Sequence, residues 1–225
     1  MDGIVTVAND ATLNFGTGDF SICFWAKKTG TGVIPIISVD GILNIDFSST
    51  RCRLNLSGTL GTAIIQPLCN PVSFTHIAFS YDSSGVCVPF VNGNAIGTGT
   101  DVSGVGSLDT NPYDWLIGFD YSGYFSGSLD DLRIYKGIAL TQEQVSTIYN
   151  NGIGKKYDEA DAGAGLAFNF DEGTGNPVST GTATLTGTIT GGVTWNSGGV
   201  PFDTPNNLGE LPMNDCEAIE ESWGF

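Results

Sequence analysis

The chain has 225 residues, of which 32 are glycine and only 14% are charged, and it carries a formal charge of −16. That length can bury a large core as one all-β domain. The negative charge excludes a nucleic-acid partner, whose phosphates would be repelled, and no apolar run approaches the roughly 18–20 residues that span a bilayer, so no membrane insertion is expected.

The first segment, MDGIVTVANDATLNF, has neither a basic n-region nor an extended apolar h-region, so no secretory leader is expected. Asp19 to Ala26 is a dense strand, apolar on both faces at Phe20, Ile22, Phe24 and Trp25. Val33–Val39 and Gly41–Phe47 read as a hairpin turned at Asp40-Gly41. Arg51–Leu56 and Thr62–Gln66 follow as short strands. Phe74–Tyr81 and Val86–Val91 form a second hairpin pair, with Asn92-Gly93 as the next turn and a further strand starting at Ala95–Gly97. Trp115–Phe119 and Ser126–Tyr135 complete the set. Short antiparallel strands at this spacing predict an all-β fold, a two-sheet antiparallel jelly-roll sandwich.

One short helix follows the last of these strands. Thr141 can cap it, Gln144 three residues on completes a capping box, and Asn150-Asn151-Gly152 stops it. Ile138, Leu140, Val145, Ile148 and Tyr149 supply its apolar face. Beyond Lys156 there is no Lys or Arg, while eleven acids follow between Asp158 and Glu221. Residues 203–225 contain two prolines and six acids and end in Trp223-Gly224-Phe225. The composition is that of a tail without its own core. Its terminal aromatics, Trp223 and Phe225, read as an anchor that docks on this or another protein subunit.

Three motifs carry a resemblance to a known family. DFSICFWAKK is similar to an early strand of the laminin-G-like, concanavalin A-like lectin and glucanase jelly rolls. FTHIAFSYDSSGVCVPFVNGNAIGTG resembles their middle hairpin, and YFSGSLDDLRIYKGIALTQEQV their closing strand and helix. The order of segments differs from the family's. Residues 163–202, including GLAFNFDEGTGNPVSTGTATLTGTITGGVTW, resemble the family's opening strand, which ordinarily precedes the element matched by MDGIVTVAN. The resemblance therefore implies a jelly roll over 1–202 that is circularly permuted. Exchange of the segment with another subunit, or a cut through a tandem array, are the alternatives.

Five cysteines form no CxxC pair and no metal-ligand spacing, which favours free thiols and folding in a reducing cytoplasm; a Cys52–Cys69 bridge stays open. His76 lies in a strand without a signalled nucleophile or carboxylate partner and reads as structural. Asp130 and Asp131 are the best metal candidates, because calcium takes six to eight oxygens. The resemblance implies a structural calcium held by this acid pair with Asn169, Asp171 and Glu172. Asp131 pairing instead with Arg133 or Lys136, or bonding loop amides, is the competing reading. For a glycan ligand, Tyr113, Trp115, Tyr121 and Tyr124 offer rings and Asp114 and Asp120 offer hydroxyl acceptors.

The resemblance also reaches glucanases, whose paired carboxylates follow a Glu-x-Asp-x-Glu type spacing on one strand face. No such spacing occurs here outside the tail, so no enzyme is expected. The expected function is a structural or decoration protein of a larger assembly, a phage or virus particle, located on a virion or extracellular surface. The alternative is a carbohydrate-binding or adhesion module.

Overall fold

A computed structural model describes residues 3–110, 112–155, 157 and 163–195. The chain opens with β1 (Gly3–Val7), β2 (Phe20–Lys28), β3 (Val33–Val39) and β4 (Leu43–Ser48). It continues through β5 (Arg51–Ser57), β6 (Thr62–Ile65), β7 (Thr75–Asp82) and β8 (Val86–Val91). Short strands follow: β9 (Asn94–Ala95), β10 (Thr100–Asp101), β11 (Trp115–Ile117), β12 (Phe119–Asp120) and β13 (Gly123–Tyr124). The long β14 (Gly127–Lys136), helix α1 (Gln142–Tyr149), β15 (Ala164–Phe168) and β16 (Gly187–Gly191) complete it.

Two antiparallel sheets face each other. The first has the order β16-β1-β11-β3-β4-β5-β6, and the second β10-β8-β7-β2-β14-β15. The all-β two-sheet sandwich with one short helix is the architecture the alternation of residues predicts. The core lies between the sheets, where Phe20, Ile22, Phe24, Ile37, Ile45, Phe47, Leu54 and Phe79 are all fully buried. Burying one such side chain is worth about 1.5–3 kcal/mol, which is why the turn sequences need only set the register.

Asn92-Gly93 shows how that register is set. Both residues take positive φ, +48° and +75°, as a two-residue hairpin turn with right-handed strand twist requires. Gly93 has a second reason to lack a side chain. A Cβ there would sit 2.7 Å from the ring of Tyr149, and the Gly93 carbonyl accepts hydrogen bonds from Gln142 and from Ser146 Oγ at 2.9 Å. The turn is therefore the seat of α1.

The capping box forms as predicted: Thr141 Oγ1 accepts from the Gln144 amide, and Gln144 Oε1 accepts from the Thr141 amide at 2.8 Å. Asn150, at φ +46°, ends the helix in the left-handed conformation. Val145 and Ile148 press against Cys23, Ala78 and Phe90 on the outer face of the second sheet. That face is closed. Among the described residues no helix lies over the first sheet.

Two boundaries differ from expectation. The strand starting at Ala95 is only Asn94–Ala95, because Gly97 and Gly99 turn the chain at φ +76° and +93°. The predicted Trp115–Phe119 strand breaks at Gly118, whose φ of +83° lies outside strand geometry. The Gly118 amide still bonds to Ile36 O at 2.7 Å, and its carbonyl accepts from Phe125 N at 2.7 Å. The chain thus leaves the sheet at Gly118, makes the β12–β13 hairpin, and returns.

Residues after the helix pair within the same chain. β15 lies beside β14, with Leu132 opposite Phe168, and β16 lies beside β1, with Gly3 opposite Gly191. The family-like opening segment is accordingly an edge strand of each sheet. Trp223 and Phe225, with the rest of 196–225, lie outside the described residues.

Candidate functional site

The pleat of the first sheet sorts its residues by register. Val5, Ile117, Ile37, Ile45, Leu54 and Ile65 form one cross-strand row facing the core. The adjacent row faces the other way because the side-chain period of a strand is two. It runs Thr6, Leu116, Ser38, Asn44, Asn55, Ile64 across five neighbouring junctions. Two asparagines are thereby brought side by side on the outer face.

The β12–β13 hairpin bends over the middle of this row. Ser38 Oγ donates to Phe119 O at 2.9 Å, and Asn44 Nδ2 donates to Asp120 Oδ2 at 2.8 Å. Asp120 Oδ1 accepts from the Ser122 amide at 2.6 Å and from its hydroxyl. Beneath, Asp46 accepts from Arg53 Nε at 2.7 Å and from Asn55 Nδ2 at 3.1 Å. Each of these bonds is worth about 1 kcal/mol net, and those to a charged group somewhat more. Together they hold the amides and the hairpin in fixed positions.

Between hairpin, turn and sheet lies a groove of about 430 Å³, lined among others by Asp40, Asn44, Asn55, Thr62, Asp120 and Tyr121. Tyr121 is 80% exposed at its edge, a ring offered to solvent rather than to the core. A hydroxyl-rich ligand can meet there both an aromatic face and convergent polar groups. A second cavity, about 390 Å³, is a fissure between the ends of the two sheets, with Phe74, Phe125, Phe170 and Trp195 in its wall.

Of the residues singled out for a glycan, Asp120 and Tyr121 come together in the groove. Tyr124 lies across the hairpin, its ring 4.9 Å from that of Phe119 and outside the groove lining. Tyr113 is on the preceding loop, exposed, and likewise outside it. Trp115 is 1% exposed and packs edge-on to Phe15 in the core, so it has no face to offer a ligand. Asn44 and Asn55 escaped sequence reasoning. Each sits in a separate strand, and only the register makes them neighbours. Asn55 also heads an Asn-Leu-Ser sequon, but its amide is engaged by Asp46 in mid-strand.

Two of the proposed calcium ligands, Asp131 and Glu172, accept hydrogen bonds from other groups. Arg133 takes both oxygens of Asp131 in the interior, and the Asp131 amide donates to Asp130 Oδ1 at 2.9 Å. Glu172 Oε1 accepts from Val178 N at 3.0 Å, on the exposed loop that also carries Asp171. Among the described residues no group of three or more acidic, histidine or cysteine side chains converges. Asn169 Oδ1 is buried without a hydrogen-bond partner among the described residues.

The remaining titratable groups are structural. Cys23, Cys52, Cys69 and Cys87 are free and buried, so no Cys52–Cys69 bridge forms. Burial pushes the thiols of Cys23 and Cys87 up to about 12 and that of Cys69 up to about 11. Such thiols are inert. His76 is fully buried beside Trp25 and Tyr149. Cys216 lies outside the described residues.

The sandwich with one face closed by a helix and the other presenting a polar groove is the build of a lectin-like jelly roll. Residues 2–146 match the sequence model of the concanavalin A-like lectin/glucanases superfamily, and the chain belongs to that family. β15 and β16 lie beyond the matched span. No curated protein sequence matches the chain.

Solved structures share the fold. One is a Bacteroides ovatus protein assigned provisionally to carbohydrate binding, with 19% identity and a TM-score of 0.66 over 85% of this chain. Another is the binding domain of botulinum neurotoxin serotype G, with 16% identity and a TM-score of 0.55 over 65% of it. The binding domain of Paraclostridial Mosquitocidal Protein 1 gives 15% and 0.52, again over 65%. The chain spans 56% of the Bacteroides protein and 40% of each toxin domain.

Proposed function

We propose that this chain is a non-enzymatic carbohydrate-binding module whose ligand lies in the groove between the β12–β13 hairpin and strands β4 and β5. The observation that carries the reading is the row Ser38–Asn44–Asn55 on the outer sheet face, with the Asp120–Tyr121 hairpin bonded to it at Asn44. Amides and a carboxylate fix sugar hydroxyls, and Tyr121 supplies the stacking face. Binding without turnover is supported by the engagement of the acids. Asp120 is bonded to Asn44 and Ser122, and Asp46 to Arg53 and Asn55, so both side chains are held by polar neighbours rather than set as a facing pair across the groove.

The role in a virus or phage particle rests on the thiols and on the tail. Buried thiols suit any chain folded in a reducing compartment, and the tail lies outside the described residues. A surface lectin is therefore the reading the geometry favours.

A glycan array followed by calorimetry on the best binder tests it. Tyr121→Ala and Asn55→Ala should each weaken binding by about tenfold, the loss of one stacking or hydrogen-bonding contact. Tyr121→Ala should leave the melting temperature unchanged. A flat array, or affinity untouched by both substitutions, overturns the proposal. Trp115 is unsuitable for this purpose, since emptying its core site costs about 3–5 kcal/mol of stability.

A further inference from the structure

The groove is rich in acceptors and poor in cations. Its acidic lining side chains are Asp40, on the exposed β3–β4 turn, and Asp120 on the hairpin. No Lys, Arg or His lines it among the described residues. The nearby cation, Arg53, is held by Asp46 at 2.7 Å on the same sheet face. Asn44 Nδ2 is committed to Asp120, so it is not a free donor for an anionic ligand.

We infer that the groove selects neutral glycans and rejects those bearing uronate, sialate or sulfate groups. The inference rests on the carbohydrate-binding reading and adds the ligand's charge class to it. A sugar hydroxyl can donate to a carboxylate or an amide oxygen. An ionised carboxylate or sulfate on the ligand can only accept, so it meets Asp40 and Asp120 without a proton between them. Like-charge repulsion adds to that mismatch, and the chain's overall charge of −16 adds it at longer range. Selectivity of this kind comes from the repulsive element more than from any special contact to the accepted ligand.

The test uses the full chain and matched glycan pairs that differ by one anionic group: N-acetyllactosamine with its sialylated and sulfated forms, and neutral xylo-oligosaccharides with their uronate-bearing counterparts. The anionic member of each pair should bind about tenfold or more weakly. Raising the salt from about 0.01 M to about 1 M should narrow the gap, since the Debye length falls from roughly 30 Å to 3 Å. The Asp40→Asn/Asp120→Asn double variant should narrow it as well. Equal or tighter binding of anionic members by the parent chain overturns the charge selection and leaves the glycan reading standing. A gap that neither salt nor the double variant alters also overturns it. Binding to no glycan of either class removes both readings together.

Discussion

Arg133 holds Asp131 through two parallel hydrogen bonds, Nε to Oδ1 at 2.8 Å and Nη2 to Oδ2 at 2.7 Å, in a layer where neither side chain reaches solvent. Residues two apart on a strand share a face, and the irregular register between Asp130 and Arg133, with Asp131 at φ +44°, brings the two groups into line. The carbonyl of Lys155 accepts from the same guanidinium, and the Tyr157 ring lies 5.7 Å away. The pair thereby ties β14 to the segment after α1.

Removing one member leaves a buried charge without its counter-ion. Asp131→Ala should cost about 3–5 kcal/mol of unfolding free energy, and Asp131→Asn less. Because Asp131 faces Arg133 rather than a cation site, added calcium should leave the parent's melting temperature unchanged. Denaturant titrations and calorimetry with and without calcium check both. A calcium-dependent rise that Asp131→Ala abolishes would restore the metal reading.

His76 predicts a specific pH dependence. Burial first, and then the nearby Arg133 charge, lowers its pKa from the model-compound value of 6.5 to about 3. The unfolded chain takes up the imidazole proton as pH falls through about 6.5, whereas the folded protein does not until about pH 3. Stability from this group is therefore complete above 6.5 and declines by about 1.4 kcal/mol per unit below it. Urea unfolding at pH 7, 6, 5 and 4 should show a steeper loss for the parent than for His76→Phe. Identical slopes would refute the assignment. At pH 7 the phenylalanine variant should be no less stable, since both imidazole nitrogens lack partners among the described residues.

The expected displacement of the family's opening strand to the C-terminal side yields a third prediction. Gly191 of β16 stands opposite Gly3 of β1 in an antiparallel ladder, so the two ends need only a hairpin-sized link. A chain starting at Gly163, running through Trp195, joined by a short linker to Gly3 and ending at Gly154 should fold cooperatively with the parent's circular dichroism spectrum. The chain cut after Gly154 without relinking should not, because β15 and β16 no longer cover β14 and β1. A stable, cooperatively folded truncation would count against the displaced-strand reading.

Local chemistry made much of this fold readable. Asp40-Gly41 and Asn92-Gly93 marked real hairpin turns, and the Thr141–Gln144 box marked the helix start, because each depends on residues close in sequence. The core strand around Phe20–Trp25 was equally plain. Trp115 was harder to place. Its neighbours alternate in a way that suits either face, and only pairing with Val7 and Val39 puts its ring inside. Asn44 and Asn55 were invisible for the same reason: their meeting depends on the register between β4 and β5. Asp131 was open to two readings, a metal ligand or a partner of Arg133 two residues away, and the structure shows the pair with Arg133.

The pairing of Val7 with Gly187 and of Leu132 with Phe168 has a consequence for biosynthesis. β1 leaves the ribosome well before its neighbour β16, which is the last strand in chain order among the described residues. Until then β1 and β14 each present a row of unpaired amides and carbonyls, the template on which nascent chains associate wrongly. Folding of both sheets thus waits for translation of the same late stretch. Errors of synthesis or early termination within 164–191 leave the whole domain, rather than its last strand, exposed to chaperones and proteases.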